Sequence, residues 1–331
     1  MADSEYVRVA DLKSLRDSGT AVVSPADHAI ALFHHEGEVY AVDNRCPHMG
    51  FPLSKGTVED GLLTCHWHHA RFELAEGDTL DIFADDVETF PVDVRDGDVY
   101  VDPNPDPEVP PSTRWRNRLV DGMAETLSLV QAKAVIHLDD LGEGFTTPVE
   151  TAVDFGTTYR ADGWGRGLTT LGAMANLYNR VNHPEKLRAM HVGVGAVADN
   201  CAGEPPRFDQ YALGNRDLTK GRLKSWFREK GAVDRAGELV AEHFAAGGDP
   251  DALVRTLGRG LLREDADFHT LQNFEAAVGR VDHARTDAEQ RLALIATARY
   301  LSAHFPTRRE REQTFEMARR LHRGESLHDG A

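Results

Sequence analysis

Two short segments carry side chains whose types and spacing suit a metal. Cys46-Pro47-His48-Met49-Gly50 sets a thiol and an imidazole two residues apart, and Cys65-His66-Trp67-His68-His69 sets a second pair three apart. The pattern is C-x-H, sixteen intervening residues, then C-x-x-H. Two thiolates can hold one ferric ion while two neutral imidazoles hold a second, so a two-iron cluster gripped by two loops is one reading. A structural zinc with two Cys and two His is the other. Against zinc, each Cys here is paired with a His, whereas a zinc knuckle puts two Cys on one turn.

Both segments need scaffolding that holds loops, and the surrounding sequence supplies strands. Tyr6-Val7-Arg8-Val9, Ala21-Val22-Val23, Ile30-Ala31-Leu32-Phe33 and Val39-Tyr40-Ala41-Val42 are β-rich and partly alternating. Further strands are expected at Leu62–Cys65, Arg71–Leu74, Thr89–Val94 and Val99–Val101, with hairpin turns at Glu36-Gly37 and Asp96-Gly97. Residues 1–102 thus read as a small antiparallel β domain of sandwich or barrel type, with both donor segments between strands. Residues 103–111 read as a linker, because five prolines between Pro103 and Pro111 favour extended, semi-rigid backbone.

Beyond residue 112 the apolar period becomes helical, and 112–331 reads as an all-α domain. Helices are expected at 114–138, 147–160, 166–180, 184–200, 217–230, 232–246, 250–262, 265–284, 287–304 and 307–322. Pro148, Pro184, Pro250 and Pro306 stand near their starts. His137, His191, His243 and His269 lie on apolar stripes of four of these helices and are candidate catalytic residues of one shared pocket. A hydrogen-bonded core role is the simpler account of any one of them. Gly163-Trp164-Gly165 is glycine-rich but lacks the spacing of a phosphate loop, so close helix packing explains it better.

Composition narrows the function. The 331 residues carry a net charge of −17, which argues against nucleic acid as a general partner. The charge is concentrated: residues 1–111 hold 23 acidic and 7 basic side chains, and the remainder 31 and 30. An acidic face of that kind can steer basic protein partners, and a merely solvated surface accounts for it equally well. No run of eighteen apolar residues occurs, so no membrane span is expected. With an acidic start and only three cysteines, a reducing cytoplasm is the expected compartment.

With both donor segments and their flanking strands in view, residues 1–102 resemble a Rieske [2Fe-2S] domain of the soluble ferredoxin and oxygenase-linked type. The resemblance implies a [2Fe-2S] cluster with Cys46 and Cys65 on one iron and His48 and His68 on the other, and an electron-donating reductase as partner. Membrane-complex relatives bridge their loops with two further cysteines, where this chain has Phe51 and Trp67, and place Ser and Tyr where it has Ala70 and Phe72. Two departures stand in the second loop: His66 where proline is usual and His69 where glycine is usual. The mononuclear-iron domain of ring oxygenases is not matched. Its two His stand four or five residues apart, whereas His183 and His191 are eight apart and His269 and His283 fourteen.

Ala134-Val135-Ile136-His137-Leu138 and the segment Leu261–His269 faintly resemble the questin-oxidase-like family, which implies a small aromatic substrate. The expected function is therefore electron transfer from a reductase to a substrate-binding helical domain. The alternative is an electron-transfer ferredoxin whose helical domain only docks partners.

Overall fold

The computed structural model describes residues 6–107, 109–204, 233–284 and 286–326. The chain divides into two compact units, Met1–Arg114 and Trp115–Ala331. The helix expected at 217–230 lies outside the described residues.

The first unit holds three antiparallel sheets of three strands. One has the order β1 (Val7–Asp11), β9 (Asp98–Val101), β8 (Val92–Arg95). The second runs β2 (Thr20–Val23), β3 (Ile30–His35), β4 (Glu38–Asp43), and the third β5 (Thr57–Glu59), β6 (Leu62–Thr64), β7 (Arg71–Glu73). Strand β3 shows how the cores between them are divided. Side chains alternate along a strand, so Ile30 and Leu32 enter an apolar cluster with Leu15, Phe90 and Val99, while Ala31 and Phe33 enter another with Leu53, Leu63 and Phe72. The second cluster also contains Cys46 and Cys65. The β-rich run beginning at Ile30 is buried on both faces because it divides two cores.

The expected hairpin turns form. Glu36-Gly37 and Asp96-Gly97 have positive φ at both positions, the type I′ geometry that matches strand twist. Asp60-Gly61 does the same between β5 and β6, and β5 was not expected because Thr57-Val58-Glu59 carries a single apolar residue. A helix in this unit, α1 (Leu12–Ser18), was also not expected. It is specified by its ends: the Asp11 carboxylate accepts the Ser14 N–H at 2.8 Å, and Gly19 closes it at φ 75°.

The second unit is helical throughout its described residues, with one correction. The single helix expected over 114–138 is two, α2 (Pro111–Ala124) and α3 (Ser128–Asp140). The chain reverses between them with Thr126 at φ 54°, and no Gly or Pro marks the break. Gly122 makes the return possible, since a Cβ there would lie 3.1 Å from Gln131 N and Val130 Cγ1. The apolar period simply continues across the reversal, which is why sequence pattern reads it as one helix.

There follow α4 (Thr146–Tyr159), α5 (Arg166–Tyr178), α6 (Glu185–Cys201), α7 (Val233–Ala245), α8 (Pro250–Leu261), α9 (Phe268–Asp282), α10 (Asp287–His304) and α11 (Glu310–His322). Glycines set the tight α5–α6 contact. A Cβ at Gly167 would meet Ala196 O at 2.6 Å, and one at Gly193 would meet Leu171 Cδ1 at 2.9 Å. The Gly163-Trp164 segment packs as expected: Trp164 is buried, and its N–H donates to Ala296 O at 2.9 Å. No described helix is long and apolar enough to cross a membrane.

Candidate metal centre

The two donor segments fold into loops with the same hydrogen-bond plan. In the first, between β4 and a 3-10 turn at Leu53–Lys55, Cys46 N–H donates to Phe51 O (2.8 Å) and Gly50 N–H to Cys46 O (2.7 Å). In the second, between β6 and β7, Cys65 N–H donates to Ala70 O (2.9 Å) and His69 N–H to Cys65 O (3.0 Å). Each loop therefore places its Cys at the base of a closed turn and needs a left-handed residue four positions on. Gly50 meets this at φ 82°, and His69 meets it at φ 61°.

This locates the departure noted at residue 69. A non-glycine residue in that region costs about 1 kcal/mol, and the His69 ring is exposed. His69→Gly is expected to stabilise the β domain by about 0.5–1 kcal/mol, or about 3–5 °C in its unfolding midpoint. A midpoint lowered by the substitution would show that the imidazole itself holds the loop.

The loops face each other. The Cys46 and Cys65 thiols are both buried and within hydrogen-bond reach of one another. Burial pushes the Cys46 thiol up to about 11, against which the His48 and Met49 backbone N–H groups, directed at its sulfur, pull downward. The His48 and His68 rings lie with centroids 4.8 Å apart at 78°. His48 is half-buried, its Nδ1 sequestered from solvent and its ring edge against Phe83 at 5.0 Å. His68 is exposed. The donors thus form two chemically distinct pairs, sulfur at the inner end and nitrogen at the surface.

At the positions where a loop disulfide would stand, Phe51 and Trp67 approach with ring centroids 6.0 Å apart, an aromatic contact in place of a bond. Behind the second loop, Arg71 is pinned by Asp81, which accepts from the Arg71 backbone N–H at 2.8 Å and from its guanidinium at 3.1 and 3.2 Å. Those hydrogen bonds hold the Asp81 carboxyl below its ordinary range. Neither Phe83 nor Asp81 carries a sequence signal that links it to the donors.

Residues 5–91 match the Rieske [2Fe-2S] domain family. The dioxygenase ferredoxin subunit for 3-phenylpropionate and cinnamic acid of Photorhabdus laumondii is 40% identical over 95 residues, 28% of this chain and 90% of that protein. The chain belongs to the Rieske [2Fe-2S] family. The ferredoxin component of the alkene monooxygenase system of Xanthobacter autotrophicus is 33% identical over 107 residues, 32% of this chain and 88% of the relative. A solved ferredoxin from Sphingomonas yanoikuyae B1 is 26% identical, with a TM-score of 0.29, all of it covered by 30% of this chain.

The donor set fits the [2Fe-2S] cluster of a Rieske domain: two adjacent thiols and two adjacent imidazoles can serve two irons, and backbone N–H groups already aim at sulfur. When bound, the cluster supplies a one-electron couple. The protein's own part is to hold sulfur in a dry core and present His68 to the surface, and to offer few hydroxyl donors. Ala70 and Phe72 are fully buried in the core that contains both cysteines. Metal binding would take the proton from each thiol, offsetting the burial that otherwise keeps Cys46 neutral.

The four histidines singled out in the helical domain have separate surroundings. His137 on α3 is stacked on Trp115, centroids 3.9 Å apart. His191 on α6 has its Nε2 at 3.1 Å from both Ser128 Oγ and Ser128 O. Ser128 opens α3 and His137 lies nine residues further along it, a rise of about 13 Å. His243 on α7 reaches Asp249 O at 3.2 Å, closing the turn into α8. His269 is exposed at the start of α9 beside Phe268. Packing thus gives each a local partner, and a shared acid–base pocket of the four is not what these contacts describe.

Proposed function

We propose that this protein is a ferredoxin-type electron carrier, taking single electrons from a reductase in the cytoplasm and passing them to a separate oxygenase component. The observation that carries the reading is the polarity of the candidate centre. Both thiols are buried, while the imidazole end reaches solvent at His68, flanked by Trp67 and Met49, each more than half exposed. Electron transfer needs close approach of the partner to that end, and apolar side chains beside it suit a transient interface. The roles of the relatives as ferredoxin components of oxygenase systems support the same reading. The excess of acidic side chains in residues 1–111 supports basic partners.

The test is reconstitution of a ring-dioxygenase system in which this protein replaces the ferredoxin. It is expected to accept one electron per chain from the reductase and to restore turnover, at a rate that falls as salt rises from low to physiological ionic strength. Failure to take up an electron from any reductase, with the cluster intact, would refute the carrier role. A second reading, an oxidoreductase whose helical domain holds a small aromatic substrate, has in its favour a cavity in that domain.

A further inference from the structure

The helical unit contains a cavity of about 500 Å³ between α4, α5 and α9, within the range of small-molecule sites. Its inner wall is apolar and partly aromatic, formed by Phe145, Val149, Val153, Trp164 and Leu168. Its mouth is polar and carries Asn176, Asn179 and Gln272 amides and the His283 imidazole, with Glu275 and Arg280 supplying one charge of each sign. The mouth opens onto a shallow depression along α5 that includes Leu177 and Arg180.

The space is not a by-product of tight helix packing. Three helical glycines elsewhere in this unit are forced: a Cβ at Gly156 would press on Leu168 at 2.8 Å, and Gly167 and Gly193 are crowded likewise, while Gly195 and Gly258 meet side chains only at ordinary contact distance. On the cavity wall the reverse holds. A Cβ at Gly279 would meet nothing within 4 Å, and one at Gly172 only Ala276 Cβ at 3.9 Å. Glycine inside a helix costs stability relative to alanine, and neither position needs it for its neighbours. Both leave room where α5 and α9 face each other.

The inner polar groups are already satisfied. Trp164 Nε1–H donates to Thr169 Oγ1 at 3.1 Å, and the Thr169 hydroxyl donates to Asn273 Oδ1 at 2.6 Å. A ligand therefore meets an apolar, aromatic floor that asks for no hydrogen bond, and a mouth of amides that both donate and accept. The balanced charge of Glu275 and Arg280 disfavours a net-charged occupant.

We propose that this cavity is a binding site for an uncharged compound of one or two aromatic rings bearing a hydroxyl or carbonyl group, ring inward and polar group at the amides. The proposal concerns binding alone and stands whichever reading of the redox role holds. It is tested on the full-length protein by calorimetric titration with 2-naphthol, with 2-naphthoate as the anionic comparison. The expected result is saturable one-to-one binding of 2-naphthol, with the anion at least tenfold weaker. Gly279→Leu, which fills the space with a better helix former, is expected to weaken 2-naphthol at least tenfold while the unfolding midpoint holds or rises. Gly279→Ala is expected to raise the midpoint and weaken binding less. Absence of saturable binding, equal affinity for the anion, or full affinity in a folded Gly279→Leu protein would each overturn the proposal.

Discussion

Replacing Cys65 with alanine is expected to abolish the cluster outright, removing the visible absorbance and the low-average-g resonance of the reduced mixed-ligand centre. The reasoning is local. Cys65 is almost fully buried at the base of the second loop, its thiol within reach of that of Cys46, and among the described residues the other cysteine, Cys201, belongs to α6 of the helical unit. No other thiolate in the β domain can replace it, and one iron would be left with a single sulfur ligand. A cluster held by these donors would also tie the two loops across a core of short strands. Loss of that tie resembles loss of a disulfide, about 2–4 kcal/mol, so the β domain's unfolding midpoint is expected to fall by about 10–25 °C. Cys201→Ala is the matched control and should keep all iron and labile sulfide, because burial leaves that thiol protonated, its pKa pushed up to about 11. Full iron content in Cys65→Ala would falsify the ligand assignment.

The reduction potential is expected near the bottom of the Rieske range, on the order of −150 mV. Reduction makes the sulfurs more negative, and donors that bond to them favour the reduced state. Ala70 and Phe72 pack in the core with both cysteines and offer no hydroxyl, and an aromatic contact between Phe51 and Trp67 stands in place of a bridging disulfide. Ala70→Ser and Phe72→Tyr each add one donor on the face of that core. A hydrogen bond to a charged acceptor that favours one redox state by about 1–2 kcal/mol corresponds to about 40–90 mV for one electron. The double variant is therefore expected to rise by roughly twice that, read by protein-film voltammetry at pH 7. A wild-type potential near the top of the range, or no rise in the double variant, would remove hydroxyl donation as the controlling factor.

That the two Cys/His segments form paired loops was legible because each pair is local in sequence. Cys46 and His48 share one turn, Cys65 and His68 another, and Glu36-Gly37 and Asp96-Gly97 announce their hairpins through residues that accept positive φ. Short elements escaped for the same physical reason in reverse. Strand β5 has one apolar residue and helix α1 spans barely two turns, so neither builds a periodic pattern, although Asp11 and Gly19 mark the ends of the helix. The reversal at Thr126 escaped because it interrupts no apolar period and has neither Gly nor Pro at the turn itself, the glycine it needs lying inside α2 at Gly122.

The helical domain marks the boundary of what the sequence by itself determined. An apolar period specifies that His137, His191, His243 and His269 lie on helices, and says nothing of which helix faces meet. Packing decided that: Trp115, Ser128, Asp249 and Phe268 take the four rings one by one. The cavity between α4, α5 and α9 is likewise a product of tertiary structure, since Gly172 and Gly279, over a hundred residues apart, leave room only once their helices are side by side. The two Cys/His donor pairs were readable because a turn of a few residues fixes their relation. A pocket assembled from distant helices depends on long-range packing, which no short window of sequence contains.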